Sequence, residues 1–304
     1  MRLSTVILPV HRWSEGGREQ WRRAEELGFH GAYTYDHLSW RVPFRDGPWF
    51  GAVPTLTAAA AATSRLRLGT LVTSPNFRHP VTLAKELITL DDVSGGRITL
   101  GIGAGGSGFD ATALRRGGEE AWTPRERADR FGEFVELLDR LLTQDAVTYE
   151  GEHYSAREAR NIPGCVQRPR LPFAVAATGP RGLRLAARYG QAWVTTGDPK
   201  VSATGTPADS VEAIARQVEG LGKACAEAGR DAGDLRKILL TGFTPDGAAP
   251  LTSVDAFVEF AGRHAALGFD EIVLHWPIPD SIFAADQRVF EKIATEGAAQ
   301  LGTR

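Results

Sequence analysis

The chain has 304 residues, 42% hydrophobic and 24% charged, which is enough apolar side chain for a large buried core. Its formal net charge is −2 with both signs interleaved, so no Lys/Arg block offers the footprint that nucleic acid needs. Two cysteines, Cys165 and Cys225, match no C-x-x-C pattern and read as reduced thiols.

The first apolar stretch predicts a strand over 3–9. It stops at Pro9, short of a signal-peptide core or a membrane span, so a cytoplasmic protein without a membrane partner is expected. A second strand over 31–36 ends in Tyr35-Asp36-His37. A third, over 66–73, leaves through Ser74-Pro75 toward Arg78-His79-Pro80, and a helix begins near Val81. The fourth, over 97–103, runs into Gly103-Ala104-Gly105-Gly106-Ser107-Gly108. Thr123, Pro124 and Glu126 then form a capping box with proline at the first helical position, and Phe131, Val135, Leu138 and Leu142 share one helix face ending near Thr143. Residues 144–171 are an excursion, with a small hairpin over 147–154 and a proline-containing return, of a size easily carried as a loop over one barrel end. Further strands follow at 172–177, 192–196, 236–243 and 270–276.

Gly28, Gly190 and Gly268 each stand between a helical pattern and a strand, where a left-handed glycine ends the helix cheaply. Short strands alternating with helices make a parallel sheet. Eight strands favour one α/β domain over 1–304, a (β/α)8 TIM barrel with an insertion between strands 4 and 5. An open doubly wound sheet shares the rhythm, but strand count and length favour closure.

Four places carry candidate chemistry. The glycines at 103–108 satisfy G-x-G-x-x-G by letter, yet no helical period opens within them, so a dinucleotide fingerprint is disfavoured. They read instead as backbone that lets a flat ring approach, or as a mobile loop. Thr178-Gly179-Pro180-Arg181 is a tight turn into a helix: a hydroxyl, open amides, the positive helix end and a guanidinium make it a candidate anion site, with an ordinary capped helix as the alternative. Asp36-His37 lies at a strand's C-terminal end, where barrel enzymes place catalytic groups, and His37 suits proton transfer near neutral pH. Neighbours on a strand face opposite ways, so the two are not by themselves a dyad. Trp40 and Trp49, in the long segment after strand two, are candidate substrate-pocket residues, with ordinary packing as the alternative. No H-E-x-x-H or G-x-S-x-G spacing occurs, and no metal site is expected.

In order and content these places resemble the bacterial luciferase-like superfamily of flavin-dependent monooxygenases and deazaflavin-dependent oxidoreductases. Asp36-His37 resembles its Asp-His, and the stretch from Gly69 to Pro75 with Arg78-His79-Pro80 resembles its strand-three segment. The run from Ser94 to Gly103 resembles its strand-four signature, and Thr178-Gly179 its phosphate site. The resemblance implies a cofactor ring against a strand-three bulge at Leu71, Val72 and Thr73 and beside Gly103 and Ala104, with a non-prolyl cis peptide at Leu71–Val72. It implies the cofactor phosphate at Thr178, Gly179 and Arg181, His37 as proton donor or acceptor, and Asp36 as a support.

Coenzyme F420 with a small or medium organic substrate is the expected system. Flavin mononucleotide (FMN) with oxygen, as in a monooxygenase, is the alternative, and a non-catalytic cofactor-binding protein is a further one. A homodimer also follows from the resemblance. Sugar-phosphate dehydrogenases of the superfamily carry an acid just after the strand-four glycines, whereas Gly106 stands here, which weakens that substrate expectation.

Overall fold

The computed structural model describes residues 1–106, 110 and 122–302. Ser107 and Gly108 of the glycine-rich segment lie outside the described residues. In chain order the strands are β1 (Arg2–Val6), β2 (Gly31–Thr34), β3 (Arg67–Thr73), β4 (Ile98–Gly103), β5 (Ala146–Glu150), β6 (Ser155–Arg160), β7 (Phe173–Ala176), β8 (Ala192–Thr195), β9 (Arg236–Leu240) and β10 (Glu271–His275). Eight of them close into a ring in the order β1, β10, β9, β8, β7, β4, β3, β2, every pair parallel. A closed ring has no edge strand, which separates this architecture from the open doubly wound sheet.

The connecting helices include α1 (Arg18–Glu26), α2 (Ala52–Ala62), α3 (Pro80–Ser94), α4 (Pro124–Thr143), α5 (Pro180–Tyr189), α6 (Pro199–Thr204), α7 (Pro207–Glu227) and α8 (Val254–Ala266). Five of these start on proline, where its missing N–H costs nothing. The Thr123/Glu126 capping box forms as expected, and Phe131, Val135, Leu138 and Leu142 are buried beneath α4 against the barrel wall. Both cysteines are free and buried, and burial pushes both thiols up. No helix among the described residues is long and apolar enough to cross a membrane.

Gly28 and Gly268 adopt positive φ, 81° and 83°, as helix stops should. Gly190 does not: its φ is −78°. What requires glycine there is space, because a Cβ would lie 2.7 Å from the Ala186 carbonyl oxygen and 3.0 Å from that of Ala192.

The excursion does form a hairpin, β5 against β6, but over 146–160 and not 147–154, whose second half is only the turn, and it lies along α4 instead of over a barrel end. Glu133 of α4 is the reason. Its carboxylate accepts the backbone N–H of Glu152 at 3.1 Å, His153 at 2.9 Å and Tyr154 at 2.6 Å, so the hairpin tip is tied to the third turn of a core helix. The return segment then crosses below the strands, where Gln167 bonds Asp91 and the Ile98 carbonyl.

The inner wall between β3 and β4 is unusually close. A Cβ on Gly101 would lie 2.0 Å from the Thr70 carbonyl oxygen, and one on Gly69 would lie 2.2 Å from that of Thr99. Just above this contact the register jumps: Thr70 faces Leu100 but Thr73 faces Ile102, so β3 carries one extra residue, a bulge toward the C-terminal mouth. The Leu71–Val72 peptide inside the bulge is cis.

Candidate functional site

Past the last ladder residue of β2, Tyr35, Asp36 and His37 each meet a different partner at the barrel mouth. Tyr35 turns inward. Its hydroxyl lies 2.7 Å from His275 Nε2 at the end of β10. Both groups are fully enclosed: burial raises the Tyr35 phenol, and it pushes the His275 imidazole down to about 3, so both stay neutral across the physiological range. The His275 ring stacks on Phe283, with centroids 3.8 Å apart and planes 9° apart.

Asp36 points the other way and is 1% exposed. Arg78 donates to it twice, Nη2 to Oδ1 at 2.7 Å and Nε to Oδ2 at 3.1 Å, and the Thr73 hydroxyl donates to Oδ2 at 2.8 Å. This bidentate pair locks the end of β2 to the β3 bulge. Both Asp36 oxygens and the Thr73 hydroxyl are thereby engaged within the protein, so they frame the mouth from behind.

His37 emerges beside them. Its Nδ1 lies 2.7 Å from Asp110 Oδ2, while Asp110 Oδ1 accepts the Leu38 N–H at 2.6 Å. Trp49 Nε1 donates to the His37 carbonyl at 2.8 Å, which fixes the backbone on the other side. A carboxylate on Nδ1 favours the tautomer that carries its proton on that nitrogen. Trp40 is buried, stacked on Phe283 at 5.6 Å and 11°, with the Arg41 guanidinium 4.7 Å above its ring. Trp49 is only partly buried and sits 6.4 Å from both His37 and Trp40.

On the opposite side of the mouth a cavity of about 510 Å³ runs from Ala104 and Ala176, at the ends of β4 and β7, to residues 178–182. Gly179 caps α5 without any side-chain hydrogen bond, and nothing lies within 4 Å of the place its Cβ would take; Pro180 has no N–H, so the donors at this helix start are the amides of Gly179, Arg181 and Gly182. Arg181 lines the same cavity, with Nη1 2.6 Å from Asp129 Oδ1 of α4. Gly103 packs where a Cβ would be 3.0 Å from Val72, beside the bulge, and Asn76 Nδ2 holds the following loop through the Gly106 carbonyl at 3.1 Å.

The sequence-predicted residues therefore fall into two clusters at one barrel mouth. Asp36, His37, Trp40 and Trp49 lie on the β2 side, and Leu71, Val72 and Thr73 form the bulge. Ala104, Thr178, Gly179 and Arg181 line the cavity, and Gly103 packs against the bulge at Val72. Sequence reasoning missed Asp110, Arg78, Tyr35, His275 and Phe283. For His275 a signal was present, since it ends a predicted strand on the same face as His37. Asp110 carries none, because its partner lies 73 residues away.

A family model described as luciferase-like monooxygenase matches residues 12–246. The chain is similar to an F420-dependent glucose-6-phosphate dehydrogenase from Beutenbergia cavernae, 39% identical over 57% of this chain and 50% of that protein. It is also similar to a 4-hydroxyprotoasukamycin monooxygenase from Streptomyces nodosus subsp. asukaensis, 34% identical over 74% of this chain and 59% of that one. Among solved structures, a coenzyme F420-dependent tetrahydromethanopterin reductase from Methanopyrus kandleri superposes with a TM-score of 0.75 at 20% identity, covering 97% of each chain. The chain spans about half the length of the curated dehydrogenase relatives it matches.

Proposed function

The chain belongs to the luciferase-like monooxygenase family, and from that premise we propose that it is a coenzyme F420-dependent oxidoreductase acting on a small or medium organic substrate. The observation that carries this reading is the single cavity joining the ends of β4 and β7 to the uncapped start of α5. One end offers small side chains beside the bulge, and the other offers free amides for an anion. The residues fit such a group: Ala104 and Ala176 present only methyls to the cavity, and Gly179 opens onto space instead of packing.

In this reading Thr178, the amides of Gly179, Arg181 and Gly182 and the Arg181 guanidinium hold the cofactor phosphate, while Leu71 and Val72 with Gly103 and Ala104 support the ring. When bound, a deazaflavin supplies hydride exchange with the substrate. The chain's own residues do the rest. His37 gives or takes a proton at Nε2, and Asp110 holds its Nδ1. Asp36 and Arg78 keep the bulge and the end of β2 in fixed relation, and Trp49 narrows water access beside His37. A homodimer accompanies the reading, as the resemblance implies, and sedimentation tests it.

A second reading is favoured by the similar monooxygenase from Streptomyces nodosus, which covers more of this chain than the dehydrogenase does. FMN would then occupy the same cavity and oxygen would be the co-substrate. Titrating the purified chain separately with coenzyme F420 and with FMN, followed by cofactor fluorescence, separates the two. Saturable F420 binding with weak FMN binding supports the first; tight FMN binding without an F420 response replaces it.

A further inference from the structure

Across the mouth from the cofactor cavity stands a wall of rings. Trp40 and Trp49 from the loop after β2, Phe243 from the loop after β9 and Phe283 from the loop after β10 come together there. Trp40 lies 5.6 Å from Phe283 and 6.4 Å from Trp49, and Phe243 lies 6.2 Å from Phe283. Trp40 and Phe283 are buried, whereas Trp49 and Phe243 are only partly covered, so two ring surfaces stay open to a further partner. Leu38, Val42 and Ile282, on the same loops after β2 and β10, are exposed and extend the apolar surface outward. Polar atoms at this wall are engaged within the protein: Trp49 Nε1 donates to the His37 carbonyl, and the Tyr35 hydroxyl and His275 Nε2 hold each other. Of the guanidiniums at the mouth, Arg78 is paired with Asp36 and Glu86. Arg41 is exposed and, among the described residues, has no ion pair. Its guanidinium stands 4.7 Å over the Trp40 ring and 5.7 Å over that of Phe243.

We propose that the substrate is a planar aromatic acid, its ring laid against Trp49 and Phe243 beside His37 and its acidic oxygen held by Arg41. The proposal rests on the reading above of a cofactor-dependent oxidoreductase and adds the substrate class. A flat ring gains face and edge contacts with these side chains and gives up no hydrogen bond on entering. A guanidinium that already lies over aromatic rings is placed to fork onto a carboxylate or phenolate at the rim of a further ring. A sugar phosphate meets the opposite, because its hydroxyls would lie against rings whose polar neighbours already have partners. The Trp49 and His37 rings are 6.4 Å apart, so a ring seated on Trp49 lies next to the proton-transferring side chain.

The test is calorimetric titration of the intact chain with naphthoate, naphthalenemethanol, cyclohexanecarboxylate and glucose-6-phosphate, first without cofactor and then with coenzyme F420 bound. Naphthoate is expected to bind saturably and about tenfold more tightly than cyclohexanecarboxylate, which carries the same charge without a flat ring. Arg41→Gln should weaken naphthoate about fivefold and leave the uncharged naphthalenemethanol within about twofold of its starting affinity. Trp49→Leu should weaken both naphthyl probes and leave cyclohexanecarboxylate unchanged, with unaltered urea unfolding showing that each variant is folded. Equal affinity for naphthoate and cyclohexanecarboxylate overturns the assignment, as does tighter binding of glucose-6-phosphate than of naphthoate. Naphthoate binding that neither substitution alters overturns it too, and so does displacement of bound F420 by naphthoate, since the two seats would then be one. Naphthoate binding as expected in a chain that takes up no F420 overturns the F420 reading and leaves the aromatic seat standing.

Discussion

One carboxylate, Asp110, holds His37 twice: Oδ2 takes the ring at Nδ1 at 2.7 Å, and Oδ1 takes the N–H of the next residue, Leu38, at 2.6 Å. The side chain and the backbone that carries it are fixed from a single point. Asp110 is therefore a positioning residue, acting through His37. Replacing Asp110 by Asn keeps the shape but removes the charge that favours an Nδ1–H tautomer. The expected result is a fall in kcat of about 10²-fold, with deazaflavin affinity changed by less than about twofold. His37→Asn should lose turnover with cofactor binding retained. Retained turnover in His37→Asn removes it from the catalytic role.

At the other end of the cavity the roles reverse. Thr178→Val deletes one hydroxyl at an anion site, and a hydrogen bond to a charged group contributes roughly 1.5–3 kcal/mol. Cofactor affinity should fall about tenfold or more, while turnover at saturating cofactor stays close to the starting value. A change confined to turnover would move Thr178 from binding to chemistry.

The Asp36–Arg78 pair makes a stability prediction independent of function. Asp36 is almost wholly enclosed, so Arg78→Met leaves a buried carboxylate uncompensated, at a cost of about 3–5 kcal/mol in urea unfolding. Adding Asp36→Asn to that variant should recover part of the loss. A loss below about 1 kcal/mol would mean that water reaches Asp36.

His275 ties stability to pH. In the unfolded chain an imidazole takes up its proton as pH falls through about 6.5. In the folded protein burial holds His275 neutral until about 3. Between those values the unfolded state binds more protons, so stability falls as pH falls, by about 1.4 kcal/mol per pH unit for one such group. His30 and His264, also pushed down by burial, act in the same direction. Unfolding measured from pH 7 to pH 4 should show this slope, and His275→Gln should lessen it by about one proton. An unchanged slope in the variant would assign the effect elsewhere.

Most of the barrel was legible because it rests on local signals. Apolar runs, a capping box at Thr123 and glycine stops at Gly28 and Gly268 each specify one turn of structure without reference to the rest. Predicted strand ends ran past the observed ladders at residues such as Tyr35 and Asp36, whose burial comes from side-chain partners at the mouth and not from sheet pairing. The segments around the mouth were legible through resemblance, but their partners were not. Arg78 reaching Asp36, Asp110 reaching His37 and Tyr35 reaching His275 all join residues more than forty positions apart, and only closure of the ring selects them. Gly190 misled for a related reason: its need for glycine lies in the carbonyl of Ala186 and that of Ala192, not in its own φ.

The hairpin beside α4 has a different kind of consequence. Its tip is held by the Glu133 carboxylate and by Tyr154, which Arg130 bonds, and most residues of its two strands face solvent. New sequence added to the strands' outer faces would meet no core and no cofactor, so this ribbon is where the scaffold can accept an epitope, a tether or a docking sequence while the barrel mouth goes on working unaltered.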